Sequence, residues 1–218
     1  NLRILVVGKA SEVLPGLESR KIPIFYFDKF GNPTEKPAMK KPVPAGVTVK
    51  TVIDAYVAAI GPLWSEGGDR GVYKTTDGGE TWEAVLTIDE HTGVNDIIMD
   101  PRNPDVLYAS AFQRRRHVYT YVGGGPGSGM YKSIDGGATW NEINKGLPSV
   151  DMGRIGLAMS PADPEVIYAI VEAAQGKGGF FKSTNRGASW QKQSGYSSSG
   201  NYYAEIVPHP TNEIGRAH

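Results

Sequence analysis

Across 218 residues the chain balances 23 Lys+Arg against 23 Asp+Glu, so its formal charge is zero. That balance argues against a nucleic-acid binder, whose affinity accumulates from many phosphate contacts, and with no Cys there is neither a disulfide nor a thiolate site. Twenty-eight Gly, 15 Pro and 10% aromatic residues suit a turn-rich β protein, and no apolar run reaches the roughly 18 residues of a membrane span.

In chain order, residues 2–7 read as a buried strand ending at Gly8. Ser11–Leu17 reads as a short helical turn broken by Pro15, and Lys21–Phe27 as a second strand closed by Asp28-Lys29-Phe30-Gly31-Asn32-Pro33. A Pro- and Lys-rich linker follows, so that residues 1–46 form an α/β segment with its linker. Val49, Val52, Ile53, Tyr56, Val57 and Ile60 then fall on one helical face, with Thr48 as N-cap and Gly61 as stop. This predicts a helix over 47–61. The alternative is a strand, because Ala55–Ile60 parallels Leu107–Ala111. The helix is preferred since no Asp-Pro-x-Asn-Pro precedes Tyr56, as Asp100–Pro104 precedes Tyr108.

From residue 70 the chain repeats itself. Thr75-Thr76-Asp77-Gly78-Gly79-Glu80-Thr81-Trp82 recurs as Ser133-Ile134-Asp135-Gly136-Gly137-Ala138-Thr139-Trp140, and again as Ser183-Thr184-Asn185-Arg186-Gly187-Ala188-Ser189-Trp190. The tryptophans at 82, 140 and 190 stand 58 and 50 residues apart, a period of stacked or radial repeats. Each copy follows Gly-x-aromatic-Lys: Gly71-Tyr73-Lys74, Gly129-Tyr131-Lys132, Gly179-Phe181-Lys182. The physics is that of a hairpin corner. The hydroxyl and carboxylate bond the turn's own amides, glycine accepts φ > 0, and Trp anchors the turn in the core. Asn185 and Arg186 replace Asp and Gly in the third copy, which predicts a looser corner.

The pattern S/T-x-D-x-G-x-T-W is similar to the Asp-box, or bacterial-neuraminidase repeat, of β-propellers. With Asp-Pro-x-Asn-Pro-Asp-x-x-Tyr between boxes, residues 62–212 resemble bacterial sortilin-like propellers often described as glycosyl hydrolases. The opening instead resembles the last part of pitrilysin/insulinase-type zinc peptidases, through Val-Val-Gly-Lys-Ala, Tyr-Phe-Asp-Lys-Phe-Gly-Asn-Pro and Val-Pro-Ala-Gly-Val-Thr. That family's His-x-x-Glu-His is absent, so no metal site is carried over.

The expected fold is therefore all-β, a partial propeller of four-stranded antiparallel blades with Asp-box hairpins behind a small α+β segment. Inner strands A are expected at 94–99, 154–159 and 202–207, strands B at 105–112 and 165–172. Strands C are expected at 71–76, 129–134 and 179–184, and strands D at 81–87, 139–144 and 189–193. About two and a half blades result, and a closed ring needs at least four, so further blades are expected outside this chain. Residues 213–218 read as foreign to the repeat and are expected to make almost no contacts.

The box residues Thr75, Asp77, Gly79, Trp82, Ser133, Asp135, Gly137, Trp140, Ser183, Asn185, Gly187 and Trp190 are read as scaffold. A lone carboxylate per turn is poor for calcium, which wants six to eight oxygens. Strand alternation puts the A–B and C–D turns, boxes included, at one end of the blades and the B–C and D–A loops at the other. The ligand-binding candidates Trp64, Asp96, Arg114, Arg115, Arg116 and Arg154 belong to the second end. Arginine suits carboxylate or phosphate, and an exposed Trp suits a sugar ring. Arg115, Asp96 and Arg154 are expected to face the propeller axis, with Trp64 at its rim. The resemblance implies an extracytoplasmic protein that binds a carbohydrate or peptide and needs no cofactor. A glycoside hydrolase working through two carboxylates of this end, or a purely structural module, are the alternatives. Glu66, Asp69, Asp89, Glu90, Asp96, Asp151 and Glu205 are the available carboxylates, and no spacing pairs any two.

Overall fold

The computed structural model describes Ser19, residues 26–27, 33–34, 55–197, 204–209, 211 and 215–217. The chain separates into two units, Asn1–Thr48 and Val49–His218. In the first, β1 (Tyr26–Phe27) pairs antiparallel with β2 (Pro33–Thr34). The expected strand 2–7 and the turn at 11–17 lie outside the described residues.

The second unit is all-β. Its strands are β3 (Ala55–Ala59), β4 (Gly71–Thr75), β5 (Glu83–Leu86), β6 (Thr92–Asp100), β7 (Asn103–Arg116), β8 (Tyr121–Gly123), β9 (Gly129–Ser133), β10 (Asn141–Glu142), β11 (Met152–Met159), β12 (Ile167–Ala173), β13 (Gly179–Ser183), β14 (Gln191–Ser194), β15 (Ile206–Pro208) and β16 (Gly215–Ala217). They form antiparallel meanders in blade order: β3-β4-β5 in blade I, β6-β7-β9-β10 in blade II and β11-β12-β13-β14 in blade III. One 3-10 turn, Ala174–Gly176, interrupts the described residues of this unit.

Two expectations are corrected here. The helix over 47–61 gives way to a strand at Ala55–Ala59, in register with β4 as Tyr56↔Lys74 and Val57↔Tyr73. The apolar residues satisfy both periods, and a paired strand half-buries Tyr56 and Ala58 against the next blade while Val57 faces solvent. Residues 47–54 lie outside the described residues. The tail is the second correction: Gly215–Ala217 pairs with Ile206–Pro208, because backbone pairing asks nothing of the side-chain pattern.

The three boxes close alike. Ser133 Oγ donates to Asp135 Oδ1 (2.7 Å) and accepts from Gly137 N (2.9 Å), while Thr139 donates through its amide (2.9 Å) and its hydroxyl (2.6 Å) to Asp135. Thr75, Asp77, Gly79 and Thr81 repeat this. These bonds, the Thr139 hydroxyl's first, pull the Asp135 carboxyl down to about 2, and the Asp77 carboxyl lies lower still, for the same reason at Thr81. The third corner is not looser. Asn185 Oδ1 accepts from Ser183 Oγ and Ser189 N, and its amide donates to Ser189 Oγ, all at 2.9 Å. An amide carries a donor that a carboxylate lacks, so Asn with Ser replaces Asp with Thr without losing a bond.

The core lies between blades. Val72, Leu86, Val94 and Ala109, with Tyr56, Ile97 and Trp140 against them, fill the joint of blades I and II. Tyr108, Met130, Ile155, Ile167, Phe181 and Trp190 fill the joint of II and III. Tyr168, Ile170, Ala204 and Ile206 fill that of III and β15. The inner strands are laced by polar groups: Ile155 O accepts from Asn95 Nδ2 (2.8 Å) and Ser110 Oγ (2.9 Å), and Leu157 N donates to Asp96 Oδ2 (2.9 Å). Of the three tryptophans read as core anchors only Trp190 is fully buried (3% exposed); Trp82 is 43% exposed, with no blade of the described residues over it.

At the box end an ionic cluster ties blade II to blade III. Asp100, with a fully buried side chain, receives Arg102 (2.9 Å) and Arg186 (3.2 Å), and Arg102 also reaches Glu165 (2.9 Å).

Candidate functional site

At the end away from the boxes, β7 outruns its sheet and turns back as β8, with Arg114↔Gly123, Arg115↔Val122 and Arg116↔Tyr121 in register. The turn closes by His117 N donating to Thr120 O (2.8 Å), and its tip exposes Val118 and Tyr119 almost completely. Beside this arm runs loop 61–70. Its organiser is Arg70, a residue the sequence reading did not single out. Only 4% exposed, it donates to the carbonyls of Gly67, Ile60, Pro62 and Ser65 at 2.7–3.0 Å and to His91 at 3.4 Å. Burial, then Arg114 and Arg115, pull its pKa down. A Gly/Pro loop rich in unpaired carbonyls and ending in one arginine was the available signal.

Loop and arm are joined by Arg116 N donating to Leu63 O (2.8 Å). Trp64 is thereby held 62% exposed, with the Arg116 guanidinium 6.0 Å from its ring and 5.6 Å from that of Tyr121. Two of the candidates, Trp64 and Arg116, therefore meet here. Arg114 donates to Gly61 O (3.2 Å), and Arg115 lies 3.6 Å from Glu66. Burial and then the neighbouring Arg154 charge lower the Arg114 pKa. Asp96 stands apart from this surface role: it accepts the Leu157 amide, and burial raises its carboxyl pKa.

Between the arm and blade III lies a cavity of about 320 Å³, lined by Gly123, Gly124, Asp151, Gly153, Glu172, Ala173 and Ala174. Arg114 stands opposite Gly123 in register and Arg154 follows Gly153 in the chain, so each is the backbone neighbour of a lining glycine. Glu172 Oε2 accepts the Arg154 amide (3.4 Å). Asp151 was among the carboxylates noted in the sequence; Glu172 was not, since it reads there as one more strand residue, and only the fold brings the two into one cavity. Tyr121, whose hydroxyl burial pushes up in pKa, lies within the field of Arg114, Glu172, Arg154 and Arg116.

Glu66, Glu90 and His91 also converge, with His91 Nε2 3.6 Å from Glu90 and 4.0 Å from Glu66. Arg115 already compensates Glu66. What the region offers chemically is an exposed aromatic face, guanidinium donors beside it and two carboxylate acceptors in a recess: the groups that bind a ring bearing hydroxyls.

The BNR/Asp-box repeat family matches residues 73–84. A xyloglucanase of Hypocrea jecorina is 26% identical over 129 residues, 56% of this chain and 14% of that protein. The xyloglucanase Xgh74A of Acetivibrio thermocellus is 27% identical over 151 residues, 64% of this chain and 17% of that protein. The chain thus spans less than a fifth of the length of these curated relatives. Among solved structures, the GH74 enzyme of Niastella koreensis is 22% identical over 74% of this chain and 23% of that one, with a TM-score of 0.44. The chain carries Asp-box repeats in an all-β fold of antiparallel blades.

Proposed function

We propose that this chain is part of a larger Asp-box propeller that binds a carbohydrate, outside the cytoplasm, at the end away from the boxes. The observation that carries the reading is the exposed Trp64 ring beside Arg116 and Tyr121, next to the cavity holding Asp151 and Glu172. The relatives named as xyloglucanases support a polysaccharide over the alternative peptide. A sugar ring stacks on Trp64, Arg114 and Arg154 donate to ring oxygens and hydroxyls, and the recessed carboxylates accept hydroxyl protons. Asp96 supports the site through Leu157, and Arg115 holds loop 61–70 through Glu66.

The test is titration of the chain with xyloglucan oligosaccharides by calorimetry. Trp64→Ala is expected to weaken binding about tenfold, near the 1.4 kcal/mol worth of one stacked contact, and Asp77→Asn, at the opposite end, to leave affinity unchanged. Loss of binding with Asp77→Asn but not with Trp64→Ala refutes the assignment. A hydrolytic reading rests on Asp151 and Glu172 sharing one cavity, since glycoside hydrolysis uses two carboxylates flanking one bond. It predicts reducing-sugar release that Glu172→Gln abolishes while binding persists.

A further inference from the structure

Successive blades are joined by a repeated grip at the box end. In blade I, Tyr56 and Lys74 are cross-strand partners, and both donate to one acceptor in blade II, the Gly136 carbonyl, at 2.8 and 3.2 Å. In blade II, Tyr108 and Lys132 are the equivalent partners, and Lys132 donates to the Arg186 carbonyl of blade III at 3.0 Å. Each ammonium lies over its own tyrosine ring, at 5.4 and 5.2 Å. Gly136 and Arg186 hold the same position of their boxes, at φ +66° and +57°, a left-handed bend that turns the carbonyl outward. The grip covers the corner: Gly136, Gly137 and Gly187 are buried, and a Cβ on Gly137 would sit 3.3 Å from the Tyr56 ring.

The first box has the same corner, with nothing from the described residues in it. Gly78 bends at φ +81°, yet a Cβ there meets no atom within 4 Å, and Gly78 and Gly79 are exposed. Trp82 is 43% exposed, against 3% for Trp190. We propose that the bare corner Gly78–Gly79, with Trp82, is a docking surface for a further Asp-box blade, whose cross-strand tyrosine–lysine pair closes on the Gly78 carbonyl. The proposal rests on the larger-propeller reading above and is independent of the ligand. The occupant follows from continuity with two existing joints. The corner offers one outward carbonyl and an apolar ring, and the face that fits such a surface twice in this molecule is a strand pair presenting an ammonium over its own tyrosine ring, the tyrosine hydroxyl adding a bond to the carbonyl in the first joint alone.

The test labels the whole chain with 5-fluorotryptophan and measures broadening of each resonance by a soluble gadolinium chelate. In the unaltered chain Trp82 broadens most among the box tryptophans. Tyr56→Phe with Lys74→Met is expected to raise the broadening of Trp140 several-fold, toward that of Trp82, and to leave Trp190 unchanged; Lys74→Met alone serves if the double variant unfolds. An unmoved Trp140 overturns the grip. The second arm extends the chain before residue 1 with another copy of its own residues 92–145. Trp82 broadening is expected to fall several-fold, and to stay high when the added copy carries the changes Tyr108→Phe and Lys132→Met. If Trp82 is equally exposed with either extension, the corner is not a docking surface, whereas oligosaccharide binding at Trp64 reports on the ligand reading separately.

Discussion

Arg186 occupies a corner that glycine fills in the other two boxes, at φ +57°. A Cβ in the left-handed region costs about 1–2 kcal/mol. The guanidinium offsets this by reaching Asp100 at 3.2 Å, so one side chain both strains its turn and ties two blades. The two effects separate by substitution. Arg186→Ala keeps the strain and loses the ion pair, whereas Arg186→Gly loses both. The glycine variant is therefore expected to be the more stable of the two by about 1 kcal/mol in urea unfolding, and the reverse order contradicts the strain. Asp100 makes a pH prediction. The hydrogen bond from Arg102, ahead of the charges around it, lowers its folded pKa. A depressed carboxyl contributes stability that is complete above its unfolded pKa of about 3.9 and lost as pH falls through the folded value. Asp100→Asn should cost about 1–2 kcal/mol at pH 7, with solvent around both arginines allowed for. Its gap from the unaltered chain should narrow as pH drops below about 4. Urea midpoints at several pH values decide this; a constant gap rejects it.

Strands and turns were legible wherever local chemistry settled them. Asp, Gly and Thr at fixed offsets dictate the boxes, and the alternating runs before and after them gave strands whose observed ends differ by a few residues. Residues 55–59 were not legible in the same way, because the unbroken apolar run Ala55–Ile60 fits a strand as well as it continues the helical face begun at Val49. What decides is the partner, Gly71–Thr75, which the local pattern does not contain. The arm of β7 and β8 was read as a charged loop for the same reason: three arginines carry no strand signal until Tyr121–Gly123 pairs with them. Trp64 and Arg116 could be proposed as ligand residues one by one, but their adjacency depends on Arg70 folding loop 61–70 around its guanidinium. Glycine placement shows how tightly the elements meet. Gly156 lies in β11 where any Cβ would collide with the Ala204 carbonyl preceding β15. Gly156→Ala is expected to destabilise by about 1–3 kcal/mol, as overpacking does. A neutral result in urea would show that residues around 204 pack elsewhere.

At the scale of the molecule, each blade buries its apolar surface against its neighbours, so stability is distributed over joints as in other repeat proteins. Blade II has a joint on both sides, filled by Val72, Val94 and Ala109 on one and by Tyr108, Ile155 and Trp190 on the other. Blade I has one joint among the described residues, and its box is bare, with Trp82 43% exposed. Opening free energies should follow this order, because the blade with fewer buried contacts opens at lower cost. Amides of β7 and β9 are expected to exchange slowest, and those of β4 and β5 faster, in hydrogen exchange of the whole chain. Lys132→Met, which removes the ammonium from the Arg186 carbonyl, should then lower protection in β12 and β13 far more than in β4, since the lesion lies in the second joint. Uniform loss of protection across all three blades would mean that the chain opens as a single unit and that the joints are not its elementary parts.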